Sequence, residues 1–553
     1  MLYNRVSGWI LASVICLVAC TPATQTRGPV TTTASVETTS PTVMAEPTAT
    51  VLRTVPPDAA PTTAVPHAQM TEEKLAELEA YISEAMPLEE IPGLSIAIVH
   101  DGEVIYTKGF GVRELGKSDP VGPETLMMLA SSSKPLTTLM MASLVDDGLM
   151  TWDTPAVSIM PSYAIDDPER TKNLTITQMT CACSGIPEPQ TSLLTPGQES
   201  PEAVFSRLRR TAPVAEPGKE YHYNNDMLAA AGYLAGLAAG GTEDDLLAGY
   251  ASAMQERIFD PIGMADTTVS TEQVQASGNY AMPHSKTLAR HYVAMPLSAE
   301  NVVVSIVPAG GIWSTAEDMS RLMLTLLNKG IMPGGERVIS EEGLAKLWEP
   351  QVQTDDSPSI QYASGWMIED YRGISLVHHP GNSLGFSTEF VLAPDSEFGT
   401  VILTNAESAG KFTKAIRNRL LELAYDLPSE SGAIYKRSVD ATHQRYSSYT
   451  ARMKQDLDEK LVAPYLGTLE NPEVGEFTLK VEDSKLMIYG AMLTSELQQL
   501  SGETTPTFVL TDPPWAAMGI MTFVFKQDGN GNPIIVVNEA GIKEPMVFEK
   551  KEQ

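Results

Sequence analysis

Apolar and polar residues change rhythm several times along this chain, and each change predicts an element. Residues 9–19 are almost continuously apolar, over a stretch too short to cross a bilayer as a helix. Residues 21–69 keep no rhythm; Thr, Pro, Ala and Val prevail with almost no aromatics, the composition of an extended tether. Leu75, Leu78, Ile82 and Met86 then recur at helical spacing behind Thr71, a predicted N-cap with Glu72 and Glu73 in the first turn. Two β-rich runs follow, 94–99 and 104–110, joined through Asp101-Gly102 as a hairpin. From about 120 to 330 the spacing is chiefly helical, broken by long polar loops such as 188–202. Strand patterns return at 376–379, 386–392 and 400–404, and a helix is predicted over 412–425.

Strands at both ends of a segment with helices between them predict an α+β domain over residues 70–430. Distant parts of the chain would close one antiparallel sheet, flanked by helices, with a helical lobe inserted in its middle. Residues 431–462 are expected to be a helical connector, with helix over 447–461 carrying Met453 and Leu457. In 463–553, Phe477, Leu479 and Val481 alternate with polar residues, as Met521, Phe523 and Phe525 do with less polar ones. Asp528-Gly529-Asn530-Gly531 and Pro513-Pro514 mark turns, so a small all-β, barrel-like domain is expected there. This tail is read first as a stabilising appendage; the alternative is that a loop such as 513–518 reaches the substrate cleft and restricts substrate size.

Composition narrows the function. The net charge of −31 excludes nucleic acid as a partner, because no basic stripe is available to displace counterions from phosphates. Arg5 ahead of the apolar run makes residues 1–20 an export leader. Leu17-Val18-Ala19-Cys20 resembles a bacterial lipoprotein box, which implies cleavage before Cys20 and a lipid on its sulfur. The expected location is the cell envelope, outside the cytoplasm, with the body tethered to a membrane. Once Cys16 leaves with the leader and Cys20 is lipidated, only Cys181 and Cys183 remain. They are too close for an easy bridge and are read as small buried residues. The eight histidines show no metal-ligand spacing, and the adjacent His378 and His379 point to opposite faces of a strand; no metal and no cofactor is expected.

Three short motifs carry chemistry. In Ser131-Ser132-Ser133-Lys134-Pro135, the i, i+3 spacing puts Ser131 and Lys134 on one face of a helix. Pro135 is tolerated only near a helix start, so Ser131 lies at the N-terminal end, where unpaired N–H groups favour developing negative charge. Leu136, Leu139, Met140 and Leu144 continue that helix, and Gly148 follows where a C-terminal glycine belongs. A second Ser-x-x-Lys, Ser408 to Lys411, lies in a polar loop where Gly410 disfavours a helix start at Ser408. The second motif, Tyr223-Asn224-Asn225, offers a phenol to relay protons and an amide to meet a substrate carbonyl. In the third, His379-Pro380-Gly381-Asn382, a histidine ends a strand beside a glycine that lets a ligand approach the backbone. Ser383 matches Gly-x-Ser-x-Gly, but that elbow requires a following helix, and 386–392 reads as a strand.

Taken in order, Ser131-x-x-Lys134, Tyr223-x-Asn225 and His379-Pro380-Gly381 resemble the triple signature of the class C β-lactamase and penicillin-binding-protein-like serine hydrolases. Pro92-Gly93-Leu94, Ser184-Gly185-Ile186-Pro187, Pro308-Ala309-Gly310-Gly311 and Leu403-Thr404-Asn405 resemble the family pattern too, and the likeness covers about residues 71–425. The resemblance implies the β-lactamase/DD-peptidase-like fold and an acyl-enzyme on Ser131. Lys134 and Tyr223 would move its proton, Asn225 would orient the substrate, and the backbone N–H groups of Ser131 and Asn382, beside Gly381, would form the oxyanion hole. His379 stands where the β-lactamases carry a lysine, which removes a permanent cation for a β-lactam carboxylate. The implied substrates are a small ester, a β-lactam or a D-amino-acid peptide, with esterase or D-amino-acid peptidase activity expected first. A true β-lactamase and a non-hydrolytic receptor for penicillin or cell-wall peptides are the alternatives. The all-β tail resembles the barrel-like C-terminal domains of some penicillin-binding-like peptidases.

Overall fold

β1 (Gly93–His100) and β2 (Glu103–Gly111) form a hairpin across Asp101 and Gly102, whose φ values of +50° and +77° are those of a tight hairpin turn. The computed structural model describes residues 67–188, 200–355, 357–471, 475–490, 494–517, 520–539 and 545–551, so the leader, Cys20 and the tether up to residue 66 lie outside the described residues. Six further strands join the hairpin: β3 (Val352–Gln353), β4 (Ile360–Tyr362), β5 (Met367–Tyr371), β6 (Ile374–Asn382), β7 (Ser387–Ala393) and β8 (Phe398–Thr404). They make one antiparallel sheet in the order β2-β1-β8-β7-β6-β5-β4-β3. The N-terminal hairpin thus closes against β8, some 300 residues on, with Leu94 opposite Thr404. This is the closure by distant parts of the chain that the strand pattern predicts.

The sheet is covered on both faces. Leu94, Ile96 and Ile98 of β1 pack with α1 (Glu72–Ala85) and α5 (Gly410–Ala424), through Leu78, Ile82, Phe412, Ile416 and Leu420. Ala97 and Val99 face the opposite way, into the core of the helical lobe. Burial on both sides explains why 94–99 is an unbroken apolar run instead of an alternating one. The lobe contains α2 (Ser133–Asp146) and α3 (Asn225–Ala238), with α4 (Ala316–Leu327) lying against β1 and β8. Thr71 caps α1 by accepting from the N–H of Lys74, as predicted.

Beyond the sheet, α6 (Ser431–Thr450) leads to a closed barrel of eight strands between Gly467 and Lys550. Its inside is filled by side chains such as Leu469, Phe477, Leu479, Phe508, Phe523, Phe525 and Phe548; the rings of Phe508 and Phe525 lie 4.4 Å apart. The described part of the 513–518 loop packs on this barrel. Trp515 is buried in the barrel core, and Ala516 packs with Leu288 and Tyr446.

Two sequence expectations are corrected. The connector helix occupies Ser431–Thr450, with only a short turn, Glu459–Val462, in the later half of 447–461. Its apolar face, Tyr435, Val439 and Tyr446, is thin in a charged segment and owes its burial to neighbouring elements. Cys181 and Cys183 are joined in a disulfide. Ala182 between them takes a left-handed φ of +51°, which folds the chain back and brings the two Cα atoms to 5.1 Å, within bridging range. The expectation that the two cysteines are too close to bridge is thereby overturned.

Candidate active site

The segment carrying Ser131 enters the lobe through a two-residue strand, Met127–Met128, paired with Trp313–Ser314. Ala130 then turns at φ +48°, a costly conformation for a residue with a Cβ, into a single 3-10 turn, Ala130–Ser132, ahead of α2. Such strain persists where the surroundings over-determine it, and here they do. The N–H of Leu129 donates to Ile312 O at 2.8 Å, and the N–H of Ile312 donates to Ser133 Oγ at 3.1 Å. Ser132 Oγ donates to His379 O at 2.8 Å and ties the turn to β6. Of the three consecutive serines, two anchor the turn and Ser131 faces Lys134.

Lys134 is 1% exposed, and three acceptors surround its Nζ. They are Ser131 Oγ at 3.1 Å, Asn225 Oδ1 at 2.7 Å and the backbone carbonyl of Ala309 at 2.8 Å. The amine also sits 4.7 Å from the centre of the Tyr223 ring. Ala309 lies in the short helix Val307–Gly310, held to α2 by Thr137 Oγ1, which donates to Pro308 O at 2.6 Å.

Tyr223 and Asn225 arrive on the approach to α3. Asn224 caps that helix, accepting from the N–H of Met227 at 2.7 Å, so the next residue begins the helix and points at Lys134. The preceding loop is pinned to the disulfide turn: the N–H groups of Gly218 and His222 donate to Cys183 O and Ala182 O, both at 2.7 Å. Behind Asn225 stands Glu188, whose carboxylate accepts from the backbone N–H and from Nδ2 of Asn225 at 2.5 and 3.1 Å. Beside it, Arg207 and Asp226 form an ion pair at 2.5 Å.

β6 supplies the third motif. Its pairing with β5 ends at His378 opposite Met367, while its pairing with β7 runs on to Asn382 opposite Ser387. Residues 379–382 therefore keep one neighbour and turn their other edge to the Ser131 turn. Gly381 makes that approach possible, because a Cβ there would lie 2.2 Å from Leu129 O and 3.2 Å from Ser131 N. Asn382 accepts from Ser387 Oγ at 2.6 Å, which directs its side chain along the sheet and away from Ser131.

His379 is fully buried and neutral. Its Nδ1 lies 2.7 Å from Pro380 O, which only accepts, so Nδ1 carries the proton and Nε2 accepts from the Tyr362 hydroxyl at 3.1 Å. Burial first, and then the charge of Lys134, hold the imidazole pKa well below its ordinary value. His378 faces the other side of the sheet, against Glu369 at 3.3 Å, as strand alternation requires.

The two competing serines have other surroundings. Lys411 reaches Thr442 Oγ1 at 3.2 Å, and Ser408 sits at φ +54° outside α5, so that pair shares no helical face. Ser383 accepts from the N–H of Phe386 at 3.2 Å in a turn between two strands, with no helix after it. Ser131, Lys134, Tyr223, Asn225, His379, Gly381 and Asn382 are thus brought together. Glu188 and Tyr362 belong to the same cluster without having been singled out in the sequence, and Ala309, noted there only within the Pro308–Gly311 stretch, contributes its carbonyl. Among the described residues no group of His, Cys, Asp or Glu is arranged to hold a metal ion.

A buried serine facing a lysine, on an α+β scaffold with a strand edge beside that serine, is an arrangement that suits serine hydrolases working through an acyl-enzyme. The chain belongs to the Beta-lactamase family, whose model matches residues 78–424. It is 24% identical to the unguisins hydrolase ungD' of Aspergillus campestris, over 72% of this chain and 76% of that one. It is 25% identical to penicillin-binding protein 4 of Amycolatopsis lactamdurans, over 60% and 86%. In fold it resembles the octameric penicillin-binding protein homologue from Pyrococcus abyssi, with a TM-score of 0.57 and 20% identity over 86% of this chain and all of that one.

Proposed function

We propose that this protein is an extracytoplasmic serine acyl hydrolase of the esterase or D-amino-acid peptidase type. The observation that carries the reading is the convergence on Lys134 Nζ of Ser131 Oγ, Asn225 Oδ1 and Ala309 O, beside the open edge of β6. Ser131 Oγ attacks the acyl carbon while Lys134 and Tyr223 carry its proton to the leaving alcohol or amine. The carbonyl oxygen takes up negative charge against the backbone N–H groups of Ser131 and Asn382, and Asn225 orients the scissile bond. Loss of the leaving group gives the Ser131 ester, which water hydrolyses by the same proton route.

The neutral His379 bears on specificity. A β-lactam carboxylate would meet an uncharged imidazole already held by Tyr362, where a fixed cation would grip it. Esters and D-amino-acid peptides need no such cation. The names of two relatives, an unguisins hydrolase and a penicillin-binding protein, fit acyl-group chemistry of this kind. The leader and the Cys20 box support export and lipid anchoring to a membrane; no helix of the described residues is long and apolar enough to cross one.

The test is turnover of a p-nitrophenyl ester, a D-alanyl anilide and a chromogenic cephalosporin, with Ser131→Ala as control. Ester or anilide turnover that requires Ser131, with slow cephalosporin loss, is the expected result. Fast Ser131-dependent cephalosporin loss would make the protein a true β-lactamase. Stable acylation without turnover on any substrate would make it a receptor.

A further inference from the structure

Lys134 Nζ donates to the Asn225 side chain at 2.7 Å, so it matters which end of that amide faces the amine. An asparagine can present either its carbonyl oxygen or its NH2 group after a half-turn of the side chain. Glu188 decides between them. Its Oε1 accepts from Nδ2 of Asn225 at 3.1 Å and its Oε2 from the backbone N–H at 2.5 Å. An amide whose NH2 end is held by a carboxylate must turn its oxygen the other way, and there Lys134 donates to it at 2.7 Å.

The charges around Glu188 point the same way. Lys134, Asp226 and Arg207 are the charged groups that act on it. Asp226 and Arg207 close an ion pair of their own at 2.5 Å, which leaves Glu188 as the carboxyl that answers Lys134 across Asn225. With Glu188 ionised the four charges balance; with Glu188 protonated one cation is left over.

We propose that Glu188 is a positioning residue for acyl transfer at Ser131: through Asn225 it fixes the acceptor that Lys134 faces. The inference rests on reading Ser131 as the nucleophile. Burial, with Asp226 nearby, pushes the Glu188 carboxyl up to about 8, so its charge changes near neutral pH and leaves a mark on the rate.

Glu188→Gln tests it. The glutamine keeps the size but puts an NH2 group against one of two N–H donors, and the Asn225 amide inverts to relieve the clash. In the whole chain, kcat on a p-nitrophenyl ester is expected to fall about 10-fold to 100-fold with KM within about 3-fold. The step in the wild-type rate near pH 8 should vanish in this variant, and Glu188→Asp should recover part of the loss. A fluorophosphonate, which reports the reactivity of Ser131 without needing the right substrate, should label Glu188→Gln correspondingly more slowly. Wild-type kcat, pH profile and labelling rate in Glu188→Gln would overturn the inference while leaving Ser131 as the nucleophile. Equal losses in kcat, KM and melting temperature for both variants would also overturn it, reducing Glu188 to a packing role. Wild type that is neither labelled at Ser131 nor impaired by Ser131→Ala would overturn the nucleophile reading itself, and this inference with it.

Discussion

Gly381→Ala puts a number on how closely the site depends on backbone approach. The new Cβ would lie 2.2 Å from Leu129 O, 3.1 Å from Ser132 N and 3.2 Å from Ser131 N, all main-chain atoms. A carbon–oxygen contact relaxes to about 3.3 Å, so β6 and the Ser131 turn must part by about 1 Å. Neither side gives easily. The turn is held by Leu129 N–H on Ile312 O and by Ser132 Oγ on His379 O, and β6 is laddered to β7 through Asn382. A displacement of about 1 Å at the reacting centre costs about 100-fold in rate, and overpacking of this kind costs about 1–3 kcal/mol in stability. The assay is kcat/KM on a p-nitrophenyl ester beside a thermal melt. Gly410→Ala is the control, because the nearest atom to its Cβ is Asn382 Nδ2 at 3.6 Å, an ordinary contact. Activity of Gly381→Ala within about 3-fold of wild type would refute the claim that the oxyanion edge depends on this approach.

Stability should fall as pH rises from about 6.5 to 8. Burial holds the carboxyls of Glu300 and Glu407 up to about 7 and about 8, so the folded protein keeps protons there that the unfolded chain loses near 4.5. Each contributes stability that is complete below 4.5 and is lost as pH rises through its folded value, at up to about 1.4 kcal/mol per pH unit. The buried His284, His378 and His379 act with the opposite sign, but only below about 6.5, where the unfolded chain takes up protons that they refuse. A melting temperature that stays flat or rises from pH 6.5 to 8 would contradict this. On the far face of β6, Arg417 is 1% exposed and bonds Glu369 at 3.0 Å and Glu389 at 3.3 Å. Arg417→Met should cost about 3–5 kcal/mol in denaturant unfolding, because it strands two buried carboxylates, while turnover per folded molecule stays near wild type; early loss of turnover would mean the two faces of the sheet are coupled.

What was legible in the sequence is what lies within one element. Ser131 and Lys134 are three residues apart, and His378 and His379 alternate on a strand, so local geometry alone assigns them. The sheet was readable because β1, β6, β7 and β8 carry apolar runs with turn residues between them. Glu188 meets Asn225 from 37 residues away, and Ala309 contributes a carbonyl that every residue has. Glu188 leaves no sequence pattern, and the Pro308–Gly311 stretch gives no sign that its Ala309 carbonyl meets Lys134. The Cys181–Cys183 bridge depended on the left-handed turn at Ala182, and alanine gives no sign of adopting one.

The central claim is that Ser131 is the nucleophile. Its most direct test is to label the purified protein with a fluorophosphonate, digest it and map the adduct by mass spectrometry. The account predicts one adduct, on the peptide carrying Ser131, and none in Ser131→Ala, with ester turnover lost in the same variant. An adduct on the peptide carrying Ser383 or Ser408, or turnover that survives in Ser131→Ala, would contradict it.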